Sequence, residues 1–117
     1  MFDFEKLELY QLIKISNNKV LKYILTNSIP DKHLSNELRN STLSIQLNLA
    51  EGTGRFLASE KKHFFTTARS SVFACVAILD ILRGQDFIDS NTYSEFYNSY
   101  EQISKMLLGM YRNIKEE

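Results

Sequence analysis

The sequence predicts an all-α protein that folds as an antiparallel up-down-up-down four-helix bundle. The chain of 117 residues has only four glycines and one proline, so it offers few places to turn. Apolar residues recur at alternating spacings of three and four, which is the period of packed helices. The breaks between these stretches are short, and short connections favour antiparallel neighbours. We predict one domain over residues 1–117.

The first two predicted helices are separated by the single proline. One runs over residues 3–27 and ends before Pro30, because the residue before a proline avoids helical angles. The next begins at Asp31 or Ser35, and Gly52 stands where a left-handed C-terminal cap is expected. The predicted core positions are Leu9, Ile13, Val20 and Ile24 in the first helix, and Leu34, Leu38, Thr42, Ile45 and Leu49 in the second.

The third and fourth predicted helices have the most regular apolar spacing. Ser59 is the expected N-cap of the third, and Gly84 is expected to end it. Asp89 or Ser90 is expected to cap the fourth. The predicted core positions are Phe65, Ala68, Val72, Cys75, Leu79 and Leu82 in the third helix, and Tyr93, Phe96, Tyr100, Ile103, Leu107, Met110 and Ile114 in the fourth.

The middle helices carry more apolar residues than one buried stripe requires. A four-helix bundle buries one stripe on each helix, so a second apolar face is surplus to the monomer. Surplus apolar surface indicates contacts between subunits. The residues in question are Leu43, Leu47, Phe64, Ile78 and Ile81.

Charge and cysteine usage exclude several functional classes. The 14 basic and 14 acidic residues cancel, so no field of the whole chain attracts nucleic acid or a lipid surface. Cys75 is the only cysteine, so an intramolecular disulfide is impossible. The apolar run over residues 72–79 is too short to span a bilayer, and the N-terminus lacks the pattern of a signal peptide. We therefore predict a cytoplasmic protein without a membrane partner.

One segment resembles a known family signature. Ser44 to Gly52 reads S-I-Q-L-N-L-A-E-G and is followed by Gly54 and Arg55. This resembles the S-I-P-x-N-I-A-E-G-x-x-R signature of the four-helix-bundle proteins encoded by 23S rRNA intervening sequences. The likeness continues at residues 68–71, where A-R-S-S stands for the family's A-x-G-S. The sequence departs from the family at Gln46, Ser70 and Ala74, where proline, glycine and glutamate are usual.

The resemblance implies an assembly and leaves the activity open. Family members resemble one another in forming barrel-like rings of five bundles, so the resemblance implies that this chain is a homo-oligomer, a pentamer. It implies no established enzymatic activity. Related accessory proteins of diversity-generating retroelements use such a ring, with a basic surface, to bind nucleic acid and a reverse transcriptase. Both properties are expectations for this chain.

The signature residues Ser44, Asn48, Ala50, Glu51 and Gly52 also have a physical interpretation. Two of them, Ser44 and Ala50, are small enough to let a neighbouring helix approach closely. Asn48 and Glu51 can tie the end of the helix to the following loop. Glu51 also meets the negative end of the helix dipole, so a cation such as that of Arg55 or free backbone N–H groups should compensate it. Structural bracing is the leading interpretation, and direct ligand binding is the alternative.

No catalytic, metal-binding or cofactor-binding motif is predicted. Glu60 and His63 form one Glu-x-x-His element, whereas a di-iron bundle needs two such elements and two more glutamates. His33 and His63 lack an accompanying nucleophile and orienting acid in the sequence. The loop at residues 52–54 follows a helix and lacks the lysine of a P-loop. We predict a protein that is not an enzyme.

Four cations form the remaining candidate site. Lys62 and Arg69 are seven residues apart and so share one helical face, while Lys61 and Arg55 lie near the same end of the bundle. Repeated around a ring, they could contact the phosphates of structured RNA or DNA. In the alternative interpretation they are a solvated face paired with local acids such as Glu60. A scaffold that binds a partner protein without nucleic acid is the rival function.

Overall fold

This computed structural model describes residues 1–115 of the chain. Four α-helices account for most of that span, and no β-strand occurs within it. The elements are, in order, a 3-10 turn at Asp3–Lys6, α1 at Glu8–Thr26, α2 at Lys32–Thr53, α3 at Ala58–Gly84 and α4 at Ser90–Arg112. The prediction of an all-α chain with four helices is confirmed.

Each helix packs against the next helix along the chain, and α1 also packs against α4. The molecule measures 48 × 25 × 23 Å along its principal axes. The contact between α2 and α3 is the most extensive of the four, and that between α1 and α4 is the least. The helices thus surround one core, with α2 and α3 held closest together.

The core consists of the predicted apolar stripes. Its buried members are Leu9, Ile13 and Val20 of α1, Leu38, Thr42, Ile45 and Leu49 of α2, Phe65, Ala68, Val72, Cys75, Leu79 and Leu82 of α3, and Tyr93, Phe96, Tyr100, Ile103 and Leu107 of α4. The predicted positions Ile24, Leu34, Met110 and Ile114 are half-buried at its edge. Spacings of three and four keep one face of each helix toward the centre, so the periodicity located these positions. Ile88, in the loop before α4, is also buried in the core and lies outside the four stripes.

At the helix N-termini, the predicted cap Asp89 is confirmed, the predicted cap Ser59 is wrong, and Asp31, one of the two predicted starts of α2, is its N-cap. The Asp31 carboxylate accepts a hydrogen bond from the backbone N–H of Leu34 at 3.1 Å. The Asp89 carboxylate accepts one from Thr92 N–H at 2.8 Å, which lowers the pKa of Asp89. Ser59 is not a cap, because α3 begins one residue earlier at Ala58 and its N-cap lacks a side-chain hydrogen bond. A favourable residue type therefore marked the start of α3 to within two residues only.

The single first helix predicted from Asp3 is interrupted. Leu7 has extended angles, with φ −80° and ψ 127°, and separates the 3-10 turn from α1. The Glu5 carboxylate closes the turn by accepting a hydrogen bond from Phe2 N–H at 3.1 Å. The Phe4 ring lies 4.8 Å from that of Tyr10. These contacts fold the turn back beside α1, which a continuous helix would not allow.

Gly52 is not the left-handed cap predicted for α2. It lies inside the helix and is buried, and no glycine of residues 1–115 has a positive φ. A Cβ atom at this position would lie 2.6 Å from Cε1 of Phe65 and 3.0 Å from Cβ of Phe64. Glycine is therefore required here because α3 passes close to the backbone of α2.

The left-handed residue of the described chain follows α3 instead. This helix ends at Gly84 as predicted, and Asp86 then adopts φ 62°. Phe87 N–H donates to the carbonyl of Leu82 at 2.9 Å, and Asp86 N–H donates to that of Arg83 at 3.0 Å. These two bonds form a Schellman motif, which satisfies carbonyl groups at the end of the helix.

Among the described helices, α3 is long and apolar enough to cross a membrane by length and composition. An 18-residue window within it has a mean hydropathy of 1.5, and 33% of that window is buried. A core helix of a soluble protein passes the same test, so the finding is weak evidence for a membrane span. Phe73 and Ile81 are the large apolar side chains of α3 that are exposed in the described chain.

Candidate functional site

The signature residues of α2 line its contact with α3. The Ser71 hydroxyl lies 2.7 Å from the Ser44 hydroxyl and 3.1 Å from the carbonyl oxygen of Thr67. The Asn48 amide donates to the Ser44 carbonyl at 2.8 Å and to its hydroxyl at 3.0 Å. The prediction that Asn48 ties the helix to the following loop is therefore wrong, because its side chain reaches back one turn. The small side chain of Ser44 lets α3 approach, as predicted.

The other signature residues lie at the last turn of α2. Ala50 is half-buried, and its carbonyl accepts a hydrogen bond from the Thr53 hydroxyl at 2.7 Å. Glu51 is exposed, and its carboxylate makes no ion pair within residues 1–115. The expectation that Arg55 compensates Glu51 is wrong, because the Arg55 guanidinium pairs with Glu60 at 3.6 Å. This leaves a carboxylate at the surface that is free of a close cation in the described chain.

Lys61 of the predicted basic site supports the end of α2. Its ammonium group donates to the carbonyl oxygens of Gly52 and Thr53, both at 3.3 Å. The last carbonyls of a helix lack intrahelical partners and carry the negative end of its dipole. A lysine is well suited to this position, so the cation has a structural role in the monomer.

Arg55 is also held by neighbours in the same chain. Its guanidinium carbon lies 4.7 Å from the centre of the Phe64 ring, in addition to the ion pair with Glu60. The two charged side chains are 46% and 41% exposed, and a pair at that exposure contributes little to stability. The arginine thus lies across the start of α3 and remains partly accessible.

Lys62 and Arg69 lie on the side of α3 that faces α4. Nε of Arg69 donates to the carbonyl oxygen of Ser104 at 3.3 Å, and its guanidinium carbon lies 4.8 Å from the Phe73 ring centre. The Lys62 ammonium nitrogen lies 5.6 Å from the ring centre of Tyr111. Of the four predicted cations, these two both contact α4, and each of the four has an intramolecular contact.

A surface groove, the α3–α4 groove, runs between these two helices. It consists of two depressions of about 260 and 470 Å³ that meet at Phe73. Arg69 is the charged residue of the smaller depression, and Asp80 and Glu101 are the charged residues of the larger one. Phe73 and Tyr97 are 54% and 39% exposed. The groove is therefore largely apolar, with Arg69 at one end and Asp80 at the other. Glu101 lies one turn along α4 from Ser104, whose carbonyl holds Arg69, so it is nearer to the Arg69 end.

The predicted surplus of apolar surface is confirmed for three of the five residues. Leu43 and Leu47 of α2 are 45% and 56% exposed, and Ile81 of α3 is 46% exposed. Ile78 is half-buried and packs against the core, and Phe64 is half-buried beside Gly52. Leu43 and Leu47 are one turn apart on the outward face of α2, so they form a continuous apolar surface.

A buried polar network at the centre of the bundle was missed by the sequence analysis. Asn17 is 1% exposed, and its amide donates to the carbonyl of Thr42 at 2.7 Å. Its side-chain oxygen accepts a hydrogen bond from the hydroxyl of Tyr100 at 2.9 Å. The available signal was a gap in the stripe of α1, because no apolar residue occupies position 16 or 17 between Ile13 and Val20.

The same network contains the single thiol. Burial raises the pKa of Cys75 to about 12, against a smaller opposing effect of a hydrogen bond with Tyr100. Burial also raises the pKa of Tyr100 well above its usual value. Neither group ionises near neutral pH, so neither is available as a nucleophile or a general base. Within residues 1–115, no group of three His, Cys, Asp or Glu side chains is arranged to hold a metal ion.

Comparison with protein families agrees with the resemblance seen at Ser44 to Gly52. The family model described as 23S rRNA-intervening sequence protein matches residues 5–109. No curated protein matches the chain. The matched span begins in the 3-10 turn and extends through α1, α2 and α3 into α4, so it includes both the close α2–α3 contact and the α3–α4 groove. The chain is therefore a member of the 23S rRNA-intervening sequence protein family.

Proposed function

We propose that this protein is a non-enzymatic, cytoplasmic homo-oligomer, a ring that serves as a scaffold for a partner protein. The observation that carries the proposal is the pair of exposed leucines, Leu43 and Leu47, on the outward face of α2. The subunit number of five comes from the resemblance to ring-forming family members. No cofactor or metal is part of the proposal.

The exposed leucines support self-assembly because the monomer gives them nothing to pack against. Covering the exposed part of one leucine contributes on the order of 1 kcal/mol. A ring repeats each contact at every interface, so modest contributions add up around it. The exposed apolar side chains Phe73 and Ile81 of α3 support the same conclusion.

The antiparallel up-down-up-down order of the helices is part of this proposal. Its support comes from residues that meet across helix pairs. Asn17 of α1 meets Tyr100, whereas Tyr23, further along α1, donates to the carbonyl of Phe87. Between α2 and α3 the pairing moves in the same sense, from Ser44 with Ser71 to Gly52 with Phe64. In both cases one residue number rises as its partner's falls.

Binding of structured RNA or DNA is the second candidate function. Its support is the shared face of Lys62 and Arg69, which a ring would repeat at every subunit. It ranks second because Lys61 is bonded to two backbone carbonyls and Arg55 is paired with Glu60. These two cations would have to exchange a protein contact for a phosphate contact.

Measurement of native mass, with and without a structured RNA, at low and moderate salt, tests both candidates. A scaffold predicts an oligomer whose mass RNA does not change. An accessory factor for nucleic acid predicts an oligomer that gains RNA mass at low salt and loses it at moderate salt, because phosphate contacts are salt-sensitive. A monomer under all conditions would contradict both.

Two variants refine the second candidate. Lys62→Gln together with Arg69→Gln should abolish any RNA binding that uses this face, while Arg112→Gln, an exposed cation at the end of α4, is the matched control. Unchanged RNA affinity in the double variant would eliminate the site. A screen for nuclease and hydrolase activity tests the non-enzymatic part of the proposal, and turnover by the purified protein would contradict it.

A further inference from the structure

We propose that the α3–α4 groove receives the outward face of α2 from a second copy of this chain. The inference rests on the proposed function, since it names the contact through which the subunits assemble. The surface that enters the groove, here the α2 ridge, consists of Arg39, Leu43, Leu47 and Glu51.

The α2 ridge has the spacing of a row that packs into a groove. Its four residues are four positions apart, and such rows form the ridges of packed helices. All four are exposed, and the two leucines are 45% and 56% exposed. The row begins with a cation at Arg39 and ends with an anion at Glu51, about 18 Å further along the helix.

The α3–α4 groove carries the complementary order of charges. Asp80 lines the far end of its larger depression, and the Arg69 guanidinium lines its smaller one. Between them lie the exposed rings of Phe73 and Tyr97. Asp80 and Arg69 are separated by about 17 Å along α3, which matches the length of the ridge.

One orientation satisfies both surfaces. In this orientation Arg39 contacts Asp80, the two leucines cover the rings of Phe73 and Tyr97, and Glu51 contacts Arg69. The α2 helix of the second copy then runs antiparallel to α3. The reverse orientation would place Arg39 beside Arg69, and a like-charge contact costs free energy. The charges thus set the direction, while most of the stabilisation comes from the apolar middle.

Two features of the monomer prepare these charges for the contact. The Arg69 guanidinium is fixed by the Ser104 carbonyl through Nε and lies against Phe73, so little side-chain entropy remains to be lost. The Glu51 carboxylate lacks an ion pair within residues 1–115. At the other end, Asp80 pairs with Arg83 at 2.7 Å. Arg39 would join this pair as an additional cation.

The ridge and the groove are different surfaces of the same subunit. Each copy therefore gives one ridge and receives another, which is a heterologous contact that closes into a ring when the rotation between subunits fits. A two-fold dimer would instead use the same surface twice. This distinction provides the test, because each surface can be disabled separately.

The experiment uses one variant for each surface. Leu47→Glu disables the ridge and keeps the groove, whereas Phe73→Glu disables the groove and keeps the ridge. Both side chains are more than half exposed, at 56% and 54%, so each variant should fold, which circular dichroism and thermal unfolding verify. Ile15→Glu, on α1 at 55% exposure, is the matched control and should retain the mass of the unaltered protein.

The expected result is that each variant is monomeric alone, and that an equal mixture forms a dimer of one copy of each and nothing larger. The mixture contains one intact ridge facing one intact groove, so assembly stops after one contact. If either variant keeps the mass of the unaltered oligomer, or if the mixture forms no dimer, the inference is wrong and the proposed homo-oligomer stands. A monomeric unaltered protein would instead contradict the proposed function itself.

A charge exchange tests the orientation independently of the apolar residues. Arg39→Glu should weaken assembly by about tenfold at low salt, because it places a second carboxylate beside Asp80. Adding Asp80→Arg to the same chain should restore most of that loss. Failure of the second substitution to restore assembly would contradict the assigned orientation. Native mass spectrometry across a dilution series measures both effects.

Discussion

The α2–α3 and α1–α4 pairs, the most and the least extensive helix contacts, are made by opposite means. Between α2 and α3, the hydroxyls of Ser44 and Ser71 lie 2.7 Å apart, and Gly52 leaves room for the ring of Phe65. Between α1 and α4, large side chains surround a buried amide, with Asn17 bonded to Tyr100 at 2.9 Å. The α2–α3 contact depends on small residues, and a larger side chain there would clash. The α1–α4 contact depends on paired polar groups and tolerates no removal.

This difference bears on the proposed assembly. The α2 ridge lies on α2 and the α3–α4 groove lies partly on α3, and these two helices make the most extensive contact of the bundle. A rigid α2–α3 contact fixes the angle between the surface that a subunit gives and the surface that it receives. The signature residues Ser44, Asn48 and Gly52 lie on that contact, so we interpret them as structural.

The largest effect is expected from Gly52→Ala. The added Cβ would lie 2.6 Å from Cε1 of Phe65, whose side chain is 3% exposed and has little room to move. The free energy of unfolding should fall by about 3 kcal/mol, the upper part of the range for overpacked cores. Denaturant unfolding monitored by circular dichroism provides the measurement.

Gly109→Ala is the matched control for that substitution. This glycine lies within α4, and a Cβ there would meet no heavy atom within 4 Å. The variant should be more stable by about 0.5–1 kcal/mol, because alanine favours the helix. Equal effects of the two substitutions would show that helix propensity, and not close approach, explains Gly52.

The next effect concerns the α1–α4 contact. Asn17→Ala removes the partner of the Tyr100 hydroxyl and of the Thr42 carbonyl, and it leaves a small void. We expect a loss of about 2 kcal/mol in the free energy of unfolding. Asn18→Ala, one position away and exposed, should change it by less than about 0.5 kcal/mol. A similar loss in both variants would eliminate the buried network as the cause.

A smaller effect is expected from Ser71→Ala on the α2–α3 contact. The substitution removes a hydroxyl that lies 2.7 Å from that of Ser44 but adds no atom, so the helices remain close. The expected loss is about 1 kcal/mol. Ser70→Ala, on the exposed neighbour, should be neutral within about 0.5 kcal/mol. Stabilisation by Ser71→Ala would contradict a hydrogen-bonded contact.

The smallest effect at neutral pH concerns Cys75. Burial raises the pKa of Cys75 from its ordinary value of 9.0 to about 12 in the folded protein, so the contribution of the buried thiol to stability is complete below about pH 9 and is lost as the pH rises toward 12. At pH 8, a maleimide should therefore label the folded protein only through unfolding, and label it fully in denaturant. Rapid labelling of the folded protein would contradict a buried thiol.

Most of the fold could be predicted because its causes are local or periodic. The seam of α3 was recognised from spacings of three and four, and Asp31 and Asp89 cap helices through residues three positions away. The exposed Leu43 and Leu47 were also predicted, because a second stripe is visible in the sequence. Each of these features can be read within one helix.

The candidate site was harder to predict because its contacts cross between helices. Gly52 was misinterpreted because its reason is a phenylalanine on α3, and the local pattern suggested a cap. Asn17 was missed because its partners lie on α2 and α4. Lys61 was predicted to belong to a basic site because its two carbonyl partners lie on α2 and cannot be inferred from its position on α3. The spacing of residues along one helix shows which face of the helix each residue occupies. It does not show which residue of a neighbouring helix that face contacts.

Sedimentation velocity of the unaltered protein at micromolar concentration gives its native mass and so tests self-assembly. We expect a single oligomeric species, about five times the chain mass of 13.6 kDa, that persists at moderate salt because apolar contacts hold it. A species of 13.6 kDa across the accessible concentration range would contradict it.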